Sequence, residues 1–170
     1  METTTSKTYP QVFLASPLET LAGEWVPAVD ATTEADRIRD EYGHEEVVIV
    51  DYEYMGDLTG RYPSIEKVER RAEAIEQAHD ADAFRAYLKH ADNMLEIEDV
   101  MEQFKRSYRG SFDDLEHFAH DDADALGYFD SMEEAGLSPC YFDVDAYKRD
   151  LEASGQVFMV GDYVFDQRGM

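Results

Sequence analysis

Basic residues are scarce in this sequence. It has 15 Lys and Arg residues against 39 Asp and Glu residues, which gives a formal net charge of −24. A nucleic-acid binder needs the opposite sign of charge, because its cations must displace the counterions of the phosphates. The sequence therefore predicts no nucleic-acid partner, and the same charge argues against binding to an anionic membrane surface.

Cysteine and long apolar runs are also scarce. Cys140 is the only cysteine, so the chain cannot form an intrachain disulfide. No run approaches the roughly 18 apolar residues that a membrane span requires. Residues Met1–Thr8 are polar and have no apolar core, so we expect no signal peptide and a cytoplasmic location.

Motifs for catalysis are missing as well. The sequence has no glycine-rich phosphate loop, no nucleophile elbow and no Cys–His arrangement. Carboxylate pairs are numerous, but none stands out with the apolar walls that would shift a catalytic pKa. We therefore predict that the protein is not an enzyme and that it needs no cofactor.

Acidic residues dominate the stretch from Gly110 to Tyr147. It holds eleven carboxylates and neither Lys nor Arg. Large apolar side chains such as Phe118, Leu126 and Phe142 lie between the acids, whereas a disordered acidic tail would lack them. The stretch is therefore expected to fold and to present a surface of one charge sign.

One calcium-loop pattern occurs within this stretch. Asp122, Asp124, Gly127 and Glu133 fall at the first, third, sixth and twelfth positions of such a loop. The fifth position is Leu126, whose side chain offers no ligand oxygen. A calcium-binding module therefore stays an alternative, and we predict no metal site.

The amino-terminal part has the pattern of a β-β-α-β unit. Strands are predicted at Gln11–Ala15, Gly23–Ala28 and Glu46–Asp51, and a helix is predicted to end at Gly43. We expect the single tryptophan, Trp25, to face a core.

Helical patterns follow, and the chain closes with a hairpin. Three short helices with thin apolar faces are predicted before Gly110, which ends the third. Ser111 is predicted to cap a further helix, and Asp143 another. Gly161 with Asp162 is a two-residue turn between two short apolar runs, which is typical of a β-hairpin.

These patterns predict an α+β fold with three small subdomains in series. We expect a disordered tail at 1–8, an α+β subdomain at 9–63, a helical subdomain at 64–109 and an α+β subdomain at 110–170.

The charge itself allows three interpretations. Duplex DNA carries one charge per roughly 1.7 Å of axis, so a net charge of −24 matches about 40 Å of duplex. A protein that mimics DNA would have such a charge. A salt-adapted domain, or an acidic adaptor for a basic protein partner, would have it too.

Three blocks of sequence resemble one known family. VFLASPLETLAGEWVPA (Val12–Ala28) is similar to the opening of the ArdA-type antirestriction proteins. EEVVIVDYEYMGDLTGRYPSIEKV (Glu45–Val68) resembles their acidic strand-and-loop block. YRGSFDDLEHFAHD (Tyr108–Asp121), followed by SPCYFDVDAYKRDLEASGQVFMVGDYVF (Ser138–Phe165), resembles their carboxyl-terminal block.

The resemblance implies a DNA-mimic inhibitor of type I restriction–modification enzymes, carried by mobile elements or phages to evade host defence. It implies an elongated homodimer that lies along the DNA-binding groove of the methyltransferase core, which contains the specificity subunit. The family's antirestriction segment maps to about residues 125–143 and is implicated in dimer contact.

On this reading, eighteen acids form a phosphate-mimicking surface, which we call the acidic set: Glu45, Glu46, Asp51, Glu53, Asp57, Glu66, Glu69, Glu73, Glu76, Glu96, Glu98, Glu102, Asp113, Asp114, Glu116, Asp121, Asp122 and Asp124. Five apolar residues, which we call the apolar set, are assigned to core or dimer contact: Leu126, Tyr128, Phe129, Met132 and Leu137. The sequence does not separate core from dimer contact.

Overall fold

The first sheet contains the three predicted strands. In the computed structural model, which describes residues 9–56, 58, 63–91 and 95–168, β1 (Gln11–Ala15) is the central strand. β2 (Gly23–Pro27) and β3 (Val48–Glu53) flank it, and both run antiparallel to it. Pro27 lies on an edge strand, where its missing N–H costs no ladder hydrogen bond.

Side chains of this sheet alternate between a buried inner face and an outer face. Val12, Leu14 and Val26 are buried, on the side where helix α1 (Ala31–Tyr42) packs. Trp25 is the neighbour of Val26 and so points the other way, with 43% of its surface exposed. The expectation that Trp25 faces a core is therefore wrong.

Gly23 packs closely against its neighbouring strand. A Cβ atom at this position would meet the carbonyl oxygen of Leu14, and it would lie 2.8 Å from both the Phe13 ring and the Ala15 Cβ. Because two of these atoms belong to the backbone or to a buried side chain, they cannot move aside without distorting the sheet.

We therefore expect Gly23→Ala to lower the free energy of unfolding by about 1–3 kcal/mol, as overpacking does in other cores. Thermal and urea unfolding measure the loss. Thr33→Ala, at an exposed site on α1, is the control and should change stability by less than about 0.5 kcal/mol. An unchanged melting temperature for Gly23→Ala would contradict the close approach.

Three further helices follow the first sheet: α2 (Ile65–Gln77), α3 (Ala81–Leu88) and α4 (Ile97–Ser107). Ser64 is the residue at which α2 begins, and the carboxylate of Asp80 caps α3 by accepting the Ala83 N–H at 2.9 Å. α1 ends at Gly43 in the left-handed conformation, with φ of 67°. The three helices predicted between Ser64 and Gly110 are thus present.

The second sheet contains the predicted hairpin and one strand that the sequence patterns missed. β5 (Val157–Val160) and β6 (Tyr163–Asp166) pair across the Gly161–Asp162 turn. β4 (Tyr108–Ser111) pairs with the other edge of β6, so the order is β4-β6-β5.

Three helices belong to the carboxyl-terminal part: α5 (Leu115–Ala125), α6 (Tyr128–Glu134) and α7 (Val144–Ser154). α5 and α7 pack on a core that contains Phe118, Leu151 and Val164. The prediction that Ser111 caps α5 is wrong, because Ser111 lies in β4. Asp114 is the cap instead, and its carboxylate accepts the His117 N–H at 2.9 Å.

The chain divides into two compact units, Met1–Glu102 and Gln103–Met170, and the boundary falls within α4. Helices and antiparallel sheets occur in separate stretches, which confirms the α+β class. The finer division into three subdomains stays a prediction. Within the described part of the chain, none of the helices has the length and apolarity that a membrane crossing would need.

Candidate acidic interaction surface

Helix α2 separates apolar from acidic side chains. It buries Val68, Ala72 and Ile75, so its remaining face carries the exposed carboxylates of Glu66, Glu73 and Glu76. Glu69 is the exception, because it is half-buried and accepts hydrogen bonds from the backbone N–H of Thr32, at 3.3 Å, and from the Thr32 hydroxyl. Glu69 therefore ties α2 to α1 in addition to carrying charge.

The other members of the acidic set in the first unit lie on or next to β3 and α4. These members are exposed: Glu45, Glu46, Asp51, Glu53, Glu96, Glu98 and Glu102. Asp57 lies outside the described residues.

In the second unit, α5 separates buried apolar side chains from exposed carboxylates, as α2 does. It buries Phe118, Ala119 and Ala123. The carboxylates around that buried stripe are open to solvent, and they are Asp113, Asp114, Glu116, Asp121 and Asp124. Because they stand on or next to one hydrogen-bonded helix, these charges are held on a rigid support.

Asp114 has a second role at the start of α5. The hydrogen bond from the His117 N–H holds the pKa of the Asp114 carboxyl below its usual value. The charge is therefore secured at neutral pH, and neutralising this residue would also remove a helix cap.

Asp122 does not share the exposure of its neighbours, which corrects its place in the acidic set. Its side chain is 13% exposed, and both carboxylate oxygens accept hydrogen bonds from one nitrogen of Arg168, at 2.8 and 2.9 Å. The Tyr147 hydroxyl donates to it at 2.6 Å. Arg168 also bonds the buried carboxylate of Asp166. Asp122 therefore serves as an internal partner of a cation.

No sequence signal pointed to Arg168, because it lies far from Asp122 along the chain. Its guanidinium joins α5, α7 and the end of β6 through Asp122, Tyr147 and Asp166. Burial raises the pKa of the Asp166 carboxyl, but the hydrogen bonds and charge of Arg168 outweigh burial and hold that pKa below its usual value.

The calcium-loop interpretation does not fit this geometry. Asp122 and Asp124 lie within α5, and Glu133 lies within α6, so the stretch is helical where a calcium loop would have to wrap around an ion. The carboxylate of Asp122 also forms an ion pair with the guanidinium of Arg168.

Internal ion pairs leave most of the charge without compensation. Arg37 takes up three acids at once, with Glu24, Glu34 and Glu41 each 2.7 Å from its guanidinium. Such exposed pairs are weak and local. Since 39 acids face 15 basic residues, pairing cannot neutralise the surface.

The apolar set is only partly covered. Leu126, Tyr128 and Leu137 are 57%, 44% and 52% exposed, whereas Phe129 and Met132 are half-buried. The ring of Phe142 contacts those of Tyr128 and Phe129, with centroids 5.7 and 5.4 Å apart. The segment thus packs partly on itself and leaves Leu126, Tyr128 and Leu137 exposed on α6 and its two flanks.

Comparison with known proteins gives one assignment. A family model described as antirestriction protein (ArdA) matches residues 20–165, which is nearly the whole chain and includes parts of both compact units. A search of curated proteins gave no match. On the strength of the family match, the chain belongs to the ArdA family of antirestriction proteins.

Proposed function

We propose that this protein blocks type I restriction–modification enzymes by occupying the DNA-binding groove of their methyltransferase core, including its specificity subunit. Membership of an antirestriction family supports the target class. The acidic set supports the mechanism, because carboxylates held on folded elements can stand in for phosphates.

One observation carries this proposal. Every described member of the acidic set except Glu69 and Asp122 is exposed, and the exposed members occur in both compact units. A DNA-binding groove is lined with Lys and Arg, which exchange one polyanion for another when the mimic binds. Association of the protein with the enzyme should therefore be fast, and its rate should fall as the salt concentration rises.

A second copy of the chain would extend the proposed surface. The exposed members of the apolar set, Leu126, Tyr128 and Leu137, lie on or next to α6, and we assign them to contact with that copy. A homodimer would double the charge and match about 80 Å of duplex at one charge per roughly 1.7 Å.

Competition with duplex DNA tests the function. A purified type I methyltransferase core is loaded with fluorescently labelled duplex, and the protein is added. We expect displacement near stoichiometric amounts at modest ionic strength, and progressively weaker displacement as salt rises, because screening shortens the reach of exposed charges.

Retention of the duplex at an excess of the protein in modest salt would overturn the proposal. Circular dichroism at low and at molar salt provides the control. A chain that unfolds in low salt and refolds in high salt would instead be a salt-adapted domain.

A further inference from the structure

The outer face of the β1–β2–β3 sheet carries an aromatic pair next to carboxylates. Phe13 is in register with Trp25 on one side and with Asp51 on the other, so the three side chains form one row across that face. The next row along the same face pairs Gln11 with Pro27 and with Glu53. This face lies opposite the one on which α1 packs.

The aromatic pair is held in place by the sheet. The rings of Phe13 and Trp25 are 5.5 Å apart at 57° to each other. The Phe13 ring lies against Gly23, at the point where any other residue would place a Cβ atom. Trp25 is therefore supported from one side and presents its remaining surface to solvent, without the entropy cost of ordering a mobile side chain.

The strands that form this face contribute acidic residues and no basic ones. The sequence contains neither Lys nor Arg from Thr8 to Asp36 or from Asp40 to Gly60, and these two segments supply all three strands. Asp51 and Glu53 are exposed on β3. Directly opposed residues on neighbouring strands have Cβ atoms about 5 Å apart, so a group stacked on Phe13 is within reach of the Asp51 carboxylate.

We propose that this face, centred on the Phe13–Trp25 pair, is a docking site for an arginine-bearing basic protein surface. A guanidinium stacks on an aromatic face and simultaneously donates hydrogen bonds to a carboxylate. Lysine has a compact, strongly hydrated charge and gains less from such a site. For the identity of the partner, this inference rests on the proposed function, because the basic surface would be that of the restriction–modification enzyme.

The role of this face differs from that of the acidic set. An indole ring cannot imitate a phosphate, and a stacked arginine excludes water from the contact. Binding through Trp25 should therefore be less sensitive to salt than binding through exposed carboxylates. The acidic set would accelerate encounter, and the Trp25 face would slow dissociation.

Intrinsic fluorescence tests the site directly, since Trp25 is the only tryptophan in the chain. The full chain is titrated with an arginine–glycine peptide and, separately, with the matched lysine–glycine peptide. We expect the arginine peptide to change the Trp25 emission and to bind more tightly than the lysine peptide. If the arginine peptide binds by calorimetry without changing the emission, or does not bind, the proposal is wrong.

A labelled arginine peptide then measures affinity by anisotropy. Trp25→Ala should weaken binding about tenfold and Trp25→Phe by less, because a stacking face remains. Tyr141→Ala, at an aromatic residue that is 75% exposed in the other unit, is the matched control and should leave affinity unchanged. Equal affinity for wild type and Trp25→Ala would overturn the site. Displacement of DNA from the methyltransferase core is measured in a separate experiment. A negative result there would contradict the proposed function without affecting the measurement of peptide binding at Trp25.

Discussion

Removing four charges around α5 should weaken binding to the methyltransferase core by roughly 8- to 450-fold, if each exposed carboxylate contributes about 0.3–0.9 kcal/mol. The variant combines Asp113→Asn, Glu116→Gln, Asp121→Asn and Asp124→Asn. The side chains of Asp113, Asp121 and Glu116 are 94%, 72% and 58% exposed, so their loss should not disturb packing. Asp114 is left intact, because it caps α5.

Duplex displacement at several salt concentrations measures the effect. The neutral variant should also show a shallower dependence of affinity on salt, since fewer ions are exchanged on binding. The matched control exchanges Asp for Glu and Glu for Asp at the same four positions, and it should inhibit almost as well as the wild type.

Single substitutions distinguish distributed from localised recognition. Each of the four neutral changes alone should cost no more than about fivefold, because the binding energy is spread over many weak contacts. A complete loss of inhibition from any one of them would argue for a specific contact in place of mimicry.

Arg168→Met is expected to destabilise the Gln103–Met170 unit by about 2–4 kcal/mol, because removing one partner leaves buried charge uncompensated. Asp166 is 4% exposed. In the variant, the one charged partner of Asp166 left among the described residues would be Arg109, at the longer distance of 3.4 Å. Asp122 would retain the Tyr147 hydroxyl. Thermal and denaturant unfolding measure the loss, and Lys105→Met provides a surface cation as the control.

The pH dependence of stability identifies the cause. The folded pKa of Asp166 lies below its unfolded value of about 3.9, so its contribution is complete above that value and is lost as pH falls through the folded pKa. The destabilisation by Arg168→Met should therefore be full near neutral pH and should shrink below about pH 4. A loss of stability that does not change with pH would indicate that Arg168 acts through packing alone.

Local interactions made part of this fold predictable from the sequence. Asp143 was expected to cap a helix and does so, because its carboxylate accepts the N–H of Ala146, only three residues ahead. Gly161 was expected to turn a hairpin for the same local reason. Ser111 looked like a cap by the same rule, yet it pairs with Tyr163 in the second sheet, and that partner lies far along the chain.

The candidate site likewise has features that could be predicted from the sequence and features that could not. Charge density around α5 was visible in the sequence, since it depends only on residue type. The burial of Asp122 was not visible, because it depends on Arg168, 46 residues away. The outward direction of Trp25 was missed because alternation defines two faces of a strand without saying which of them a helix will cover.

The helix caps carry a lesson for protein engineers. Asp80, Asp114 and Asp143 each hold the first turn of a helix with the carboxylate that adds to the surface charge. When this charge pattern is transferred to another scaffold, the exposed Glu residues of α2 could be replaced by Asp at little cost in stability. The three capping positions favour a short side chain with an oxygen acceptor, so at these positions Asp supplies both the helix cap and the negative charge, and Glu would supply only the charge.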